Sequence, residues 1–422
     1  MLMLSNIIEP MSYTWKRILG LSEPFPAEHR QNFIHLFFDI AWWGVLNGSV
    51  IVFLAVYASR LGASSFQIGI LTASPALINI LMTFPTNVLV RGKSTFQVLR
   101  RAALFTRLFY ALFIPLPILL PAQTQIWAII LITLLMNIPG TIAAVMGNAF
   151  LAEAIPDEWR GQVIGIRNAL LALTSMTTSF LVGQILKTLP FEIGYMIVFA
   201  LGWLGSMLSA YHLYHIKAVT PSIEESPKPL EKPTFKEIVR PDVFSGPFRS
   251  VLWIMFFFHV AVFLPNPIFP LYQVNELKLT DETIGFGTSL FWIIYFLTST
   301  QVGSLSRKYG FKTLTGAGTV IASLATLLFT FSYQVWIYVI TQIVSGIGWA
   351  INGGGLVNYL LTKVPADDRP SYLAWFNLAV NFAVLICGLV APLITSNFGL
   401  FGSMILSVIV RFLAGIAILR WG

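Results

Sequence analysis

Residues 217–249 read KAVTPSIEESPKPLEKPTFKEIVRPDVFSGPFR. Charges of both signs and six prolines set this stretch apart as the one long polar interval between apolar runs, and proline at such density cannot continue a helix. It reads as a linker joining two membrane-embedded halves. The chain around it is 56% hydrophobic and only 10% charged over 422 residues, whereas soluble domains carry about 25% charged residues. Its mean hydropathy is +0.77. Such a composition belongs in a bilayer, where each helical crossing needs about 20 mostly apolar residues.

Twelve segments meet that length: 33–58, 67–90, 99–120, 124–150, 163–186, 193–216, 250–272, 282–303, 313–332, 335–361, 371–394 and 398–420. In lipid every backbone polar group must be satisfied internally, and the runs lack the alternation of barrel strands, so the expected fold is all-α and polytopic. The expected organisation is an N-terminal tail over 1–31, a six-helix bundle over 32–216, the loop 217–249 and a second six-helix bundle over 250–422.

Basic residues outnumber acidic ones, 26 to 18. All but Arg60, Lys187, Lys278, Arg107 and Arg411 fall in the N-tail, the even-numbered connections and the C-terminus or in the segment ends next to them. This positive-inside pattern places both termini in the cytoplasm and the protein in the cytoplasmic (inner) membrane. It also removes the reason to expect a nucleic-acid partner. Cys387 is the sole cysteine, so there is no disulfide framework. The N-terminus lacks a compact apolar region followed by a small-residue cleavage site and is not read as a signal peptide. Trp15, Lys16 and Arg17 beside Ile18, Leu19 and Leu21 suit a short interfacial segment.

The halves repeat each other. Tyr57 and then Gln67-Ile68-Gly69 in the first half correspond to Tyr272 and then Thr283-Ile284-Gly285 in the second. The loops IPDEWRGQVIGIRN and VPADDRPSYLAWFN align Pro156 with Pro365, Arg160 with Arg369 and Asn168 with Asn377. Parallel repeats of this kind are a feature of secondary transporters. The turn Gly303-Ser304-Leu305-Ser306-Arg307-Lys308-Tyr309-Gly310-Phe311-Lys312, with a weaker counterpart at Gly92-Lys93, resembles the signature turn of the major facilitator superfamily, and so does the six-plus-six plan over nearly the whole chain.

The resemblance implies alternating access around a central cavity lined by helices 1, 4, 7 and 10, with helices 2, 5, 8 and 11 beside them. It also implies a cytoplasmic gate, here Gly303, Arg307 and Gly310 with Arg160, Asp367, Asp368 and Arg369. The family's acidic position in the turn is occupied by Arg307, so Asp367 and Asp368 are the expected partners in a reversed latch. An arginine in helix 4 and a Gly-Pro stretch in helix 5, usual in the family's drug–proton antiporters, are both missing.

Asp39 is the one acid inside a span. It could carry a coupling proton, pair with Arg107, Arg160 or Arg167, or snorkel to headgroups. His259, deep in helix 7, could relay protons or pack. Arg107 and Arg411 are expected to snorkel. Candidate cavity residues are Asn47 and Trp43 on helix 1, Asn137 on helix 4, His259 and Asn266 on helix 7, Trp292 and Tyr295 on helix 8, Trp349 and Asn352 on helix 10 and Asn377 on helix 11; Asn79, Gln342 and Asn381 are further amides within spans.

Amides and aromatics with little fixed charge suit a neutral or amphipathic small molecule. The sequence carries no metal-ligand cluster, phosphate loop or nucleophile elbow, so no cofactor and no enzymatic activity are expected. The reading is a monomeric secondary transporter contacting membrane lipids, exporting a small amphipathic compound, with protons as one coupling option. Facilitated uptake of a sugar or nucleoside, and a non-transporting scaffold or a lipid or pigment delivery factor on the same fold, are the alternatives.

Overall fold

Apolar runs of this length resolve into helices because only intrahelical hydrogen bonds satisfy the backbone in lipid. In the computed structural model of the chain, which describes residues 25–26, 28–90, 92–218, 240–246, 248–365 and 368–421, every regular element is helical. Most of the expected tail and central loop, together with the interfacial segment around Trp15, Arg91 and Asp367, lie outside the described residues.

Among the described residues there are twelve helices: eleven lie in the nine segments long and apolar enough to cross a membrane, two of which are pairs joined at a glycine, and the twelfth is the broken α7. In the first half they are α1 (Arg30–Arg60), α2 (Ser65–Val90), α3 (Thr95–Leu119), α4 (Ala122–Ala154), α5 (Asp157–Thr188) and α6 (Phe191–His215). In the second they are α7 (249–276), α8 (281–309), α9 (311–330), α10 (Val335–Leu361), α11 (369–398) and α12 (400–421). Proline immediately before α4, α5 and α6, at Pro121, Pro156 and Pro190, holds an extended conformation from which each helix starts. Thr280 caps α8, its hydroxyl accepting from the Thr283 N–H.

Two expected loops contract to single residues. Gly310 (φ 77°) reverses the chain between α8 and α9, and Gly399 (φ 67°) does so between α11 and α12. Only glycine takes such angles without a Cβ penalty. Ser304 to Tyr309, expected as a loop, therefore extend α8. Helices α2 and α4 run through Pro75, Pro85 and Pro139 without interruption.

Helix α7 does break. Its first segment, Arg249–Phe263, stops before Pro265 and Pro267, and the chain turns through Asn266 N–H to Phe263 C=O before helix resumes at Phe269. The Val262 carbonyl, left without its usual partner four residues on, accepts from Arg411 Nη2. Arg411 is 2% exposed, so it caps a helix break where snorkelling was expected.

The α1, α6, α7 and α12 ends on one side form what is here termed the near face, where Asn32 bonds the Lys217 backbone. On the opposite, far face the halves join. Arg60 Nη2 meets Asp281 Oδ1 at 3.0 Å, and Lys187 meets Glu282 at 2.9 Å. Below these pairs, α2 packs on α11 and α5 on α8 through glycines at repeat-related positions. A Cβ on Gly285 would stand 2.5 Å from the Ser179 carbonyl and 2.9 Å from Gly183 Cα, and one on Gly69 would collide with the Gly388 carbonyl.

Overpacking a close contact costs about 1–3 kcal/mol. Gly285→Ala should therefore shift the population several-fold to more than tenfold towards separated far-face ends. Spin-label distances between Gly62 and Lys278 should lengthen, and an unchanged distance distribution would show that this contact does not hold the halves together.

Candidate functional site

Asp39 faces inward from α1 and organises the first half. Its Oδ2 accepts from Arg167 Nη1 and Nη2, both at 3.3 Å, and its Oδ1 accepts from the Ser209 hydroxyl at 2.6 Å. Arg107 Nη2 lies 3.6 Å from Oδ1 and donates to Ser209 Oγ at 2.8 Å. Arg167 also reaches the Leu36 carbonyl at 2.5 Å. One carboxylate thus ties α1, α3, α5 and α6. Of the three expected partners, Arg107 and Arg167 are found; Arg160 instead pairs with Asp157 in its own loop at 2.5 Å. Arg107 is 5% exposed, so burial replaces the expected snorkelling. The ring of Trp43 lies 5.6 Å from its guanidinium carbon, which gives this candidate cavity residue a charged neighbour.

A second polar set crosses between the halves. Asn79 Nδ2 on α2 donates to Asn381 Oδ1 on α11 at 3.0 Å. The Thr141 hydroxyl lies 2.6 Å from Asn79 Oδ1 and 2.9 Å from the Asn137 carbonyl, and Asn381 Nδ2 donates to the Asn377 carbonyl at 2.7 Å. Asn137 and Asn377 take part only through their backbone carbonyls, each bonded within its own helix, and the Asn137 amide turns to the Thr133 carbonyl; the bond that crosses the halves is made by Asn79 and Asn381, two of the further amides within spans. An amide near the middle of each of α2 and α11 was the available signal.

The remaining candidates disperse. Asn47 donates to Ser175 Oγ at 3.0 Å between α1 and α5, at the start of a π-helical turn, Asn47–Ile51. Asn352 is turned into the second bundle, donating to Thr319 Oγ1 at 2.6 Å, because glycines such as Gly318 and Gly355 draw α9 and α10 into contact. His259 is 4% exposed; its Nδ1 bonds the Met255 carbonyl at 2.6 Å, and its ring lies against Phe263 and Phe376. Packing fits these contacts, where a proton relay was an open alternative. Asn266 is half-buried in the α7 break, and Trp349 packs on the cluster around Met255 and Phe258. Trp292 and Tyr295 form an edge-to-face pair 5.6 Å apart on α8.

Among the described residues, Arg307 and Asp368 do not meet. Arg307 donates to Ser304 Oγ, one turn back on its own helix, at 3.2 Å. Asp368 instead pairs with Arg240 at 2.6 Å and accepts from Ser371 at 2.7 Å. Arg240 holds a left-handed backbone (φ 50°) that lets its guanidinium reach both Asp242 and Asp368. That guanidinium keeps the Asp242 carboxyl below its usual range. Gly303 and Arg369 are exposed, Gly310 forms the turn, and Asp367 is among the residues not described. Among the described residues, the hydrogen bonds and ion pairs between halves run from Asn79–Asn381 outward to the far face.

Beside this cluster lies a cavity of about 400 Å³ between α7 and α11. Its walls are apolar, chiefly Leu252, Trp253, Phe256, Trp375 and Phe382, with Phe244 of the short helix Pro241–Ser245 at one end. Trp375 is anchored by its indole N–H, 3.1 Å from the Arg240 carbonyl.

Two six-helix bundles joined at one face, by an amide pair in mid-membrane and ion pairs at its edge, have the architecture of a multi-pass secondary transporter. The sequence pattern of the Major Facilitator Superfamily matches residues 33–275 and again 251–422, so the chain belongs to that superfamily. Solved structures agree in fold. A point mutant of the nucleoside transporter NupG superposes with a TM-score of 0.71 at 14% identity, covering 92% of this chain and 98% of that one. A D-xylose–proton symporter gives 0.70 at 14% identity (93% and 97%), and a bacterial homologue of the iron transporter ferroportin, solved inward-facing, gives 0.66 at 12% (97% and 99%). No curated protein matches the sequence.

Removing one partner of a buried ion pair costs about 3–5 kcal/mol. Asp39→Asn should therefore lower the thermal unfolding temperature markedly, and adding Arg107→Met should recover part of the loss. Equal unfolding temperatures for wild type and Asp39→Asn would mean that the carboxylate does not organise the bundle.

Proposed function

We propose that the protein moves a small amphipathic solute across the cytoplasmic membrane, with the near face and both termini in the cytoplasm. The carrying observation is the 400 Å³ cavity, whose aromatic walls run up to the polar Arg240–Asp242–Asp368 cluster. Its size lies within the range of small-molecule pockets. An apolar body fits the walls and a polar end fits the cluster. The expected domain organisation, 32–216 and 250–422 as bundles about the loop 217–249, supplies two bodies for rocking. Closure at the far face corresponds to an inward-facing state.

Asp39 is the coupling candidate under proton-driven export. Proton binding there would release Arg107 and Arg167 together, loosening four helices. The amide chain through Asn79 and Asn381 favours one alternative, facilitated uptake of a hydroxyl-rich solute such as a sugar or nucleoside, because neutral amides hydrogen-bond hydroxyls without demanding charge.

Thermal unfolding of the detergent-purified protein against aromatic amphiphiles, sugars and nucleosides separates these readings, since a ligand stabilises the state it binds. An aromatic amphiphile should stabilise wild type and bind at least tenfold more weakly to Phe256→Ala. Stabilisation by sugars or nucleosides alone, sensitive to Asn79→Ala and not to Phe256→Ala, would replace the first reading with the second.

A further inference from the structure

Three of the protein's five histidines gather where the near-face ends of α1 and α6 meet. His35 Nδ1 lies 3.0 Å from His212 Nδ1, and the His35 and His215 rings stack at 5.2 Å with planes 16° apart. Phe38 stacks on His212 at 5.1 Å, and Tyr211 and Tyr214 flank His215. His215 is exposed at the helix end, its Nδ1–H donating to the Tyr211 carbonyl.

The spacing links this cluster to the Asp39 network. His35 and Asp39 are four apart on α1, and Ser209 and His212 three apart on α6, so each pair shares a helix face. The His35–His212 contact therefore lies one turn from the Asp39–Ser209 contact, between the same two helices. The other charged groups of this corner are committed. Arg100 from α3 sits over Phe96 and Tyr214 and donates to the Ile216 carbonyl, while Arg107 and, from α5, Arg167 hold Asp39. His29 pairs with Glu28, and Lys217 is tied to Asn32 through its backbone.

We infer that His35 and His212 form a one-proton site that makes the α1–α6 joint responsive to near-face pH. An Nδ1 to Nδ1 hydrogen bond needs one donor and one acceptor. It exists while at least one of the two imidazoles is neutral, as both are in most molecules above the ordinary histidine pKa of about 6.5. A second proton turns the acceptor into a donor, breaks the bond and sets two like charges in contact. The contact's contribution to stability is therefore present at neutral pH and lost as pH falls below the ordinary histidine value and the second proton binds. Separation of the two helices at this level pulls directly on Asp39 and Ser209, one turn further in.

Hydrogen exchange read by mass spectrometry on the full chain in nanodiscs tests this without a transported solute. After correction for the intrinsic pH dependence of exchange, protection over 30–38 and 209–216 should drop several-fold between pH 7.5 and pH 5.5 in wild type. His212→Gln and His35→Gln, which keep a hydrogen-bonding group but cannot gain charge, should each lose that drop, whereas His29→Gln should retain it. If one glutamine variant fails to fold, the other carries the test. Protection that is the same at both pH values in wild type, or a drop that survives in a folded glutamine variant, overturns the inference.

Discussion

Everything that distinguishes the two halves as separate bodies depends on how they touch. At the far face α2 meets α11 and α5 meets α8 through Gly69 and Gly388, and through Gly285 and Gly183, with backbone against backbone. Lipid offers no hydrophobic drive for helices to associate, so close approach of small residues supplies the attraction by dispersion. That attraction is short-ranged, and it disappears once the helices separate by an ångström or two. The repeat places the same device on both sides of the interface, so the far face closes symmetrically.

The buried charges work on a different scale. Asp39, Arg107, Arg167 and Ser209 join four helices of the first half, and Arg411 joins α7, α9 and α12 of the second through Val262, Ala322 and Thr326. Ion pairs and charge-assisted bonds out of water are costly to break, which makes each half resist internal deformation. Arg411 does so without a carboxylate partner among the described residues. It satisfies carbonyl oxygens at the α7 break, so the irregular backbone around Pro265 and Pro267 is held from within the same half.

Much of this was legible in the residues, and the losses have identifiable physical causes. The twelve apolar runs correspond to the twelve helices of the structure, and the repeat of Tyr57 with Tyr272 pointed to equivalent positions that are both fully buried at the far face. Turn length was overestimated at Gly310 and Gly399, because one glycine with positive φ does the work of a loop and composition does not reveal φ. Helix number alone assigned Asn352 and His259 to a cavity, yet a helix has several faces, and these two side chains turn into their own bundle. Arg167 was read near a helix end, where its length let it reach Asp39. Asp368, expected beside Arg307, is held in this state by Arg240, whose left-handed backbone brings its guanidinium to the acid.

The contrast between the two kinds of contact explains where motion can occur. Apart from those that the more buried Arg60 makes with Asp281 and Leu279, the polar bonds across the halves are neutral hydrogen bonds such as Asn79 to Asn381 and Ser289 to the Met176 carbonyl, and the partly exposed ion pair of Lys187 with Glu282. Interhelical hydrogen bonds of the first kind contribute about 0.6 kcal/mol, and exposed ion pairs about 0–1 kcal/mol. Each is weak enough to break and re-form at ordinary temperature. Within a half, removing a buried charge partner costs several times more. A chain built this way yields along the interface before either bundle deforms. A charged pair in place of Asn79 and Asn381 would reverse that order, because separating it in mid-membrane would expose two ions to a low-dielectric environment, and the halves would then be locked at the level where they must part.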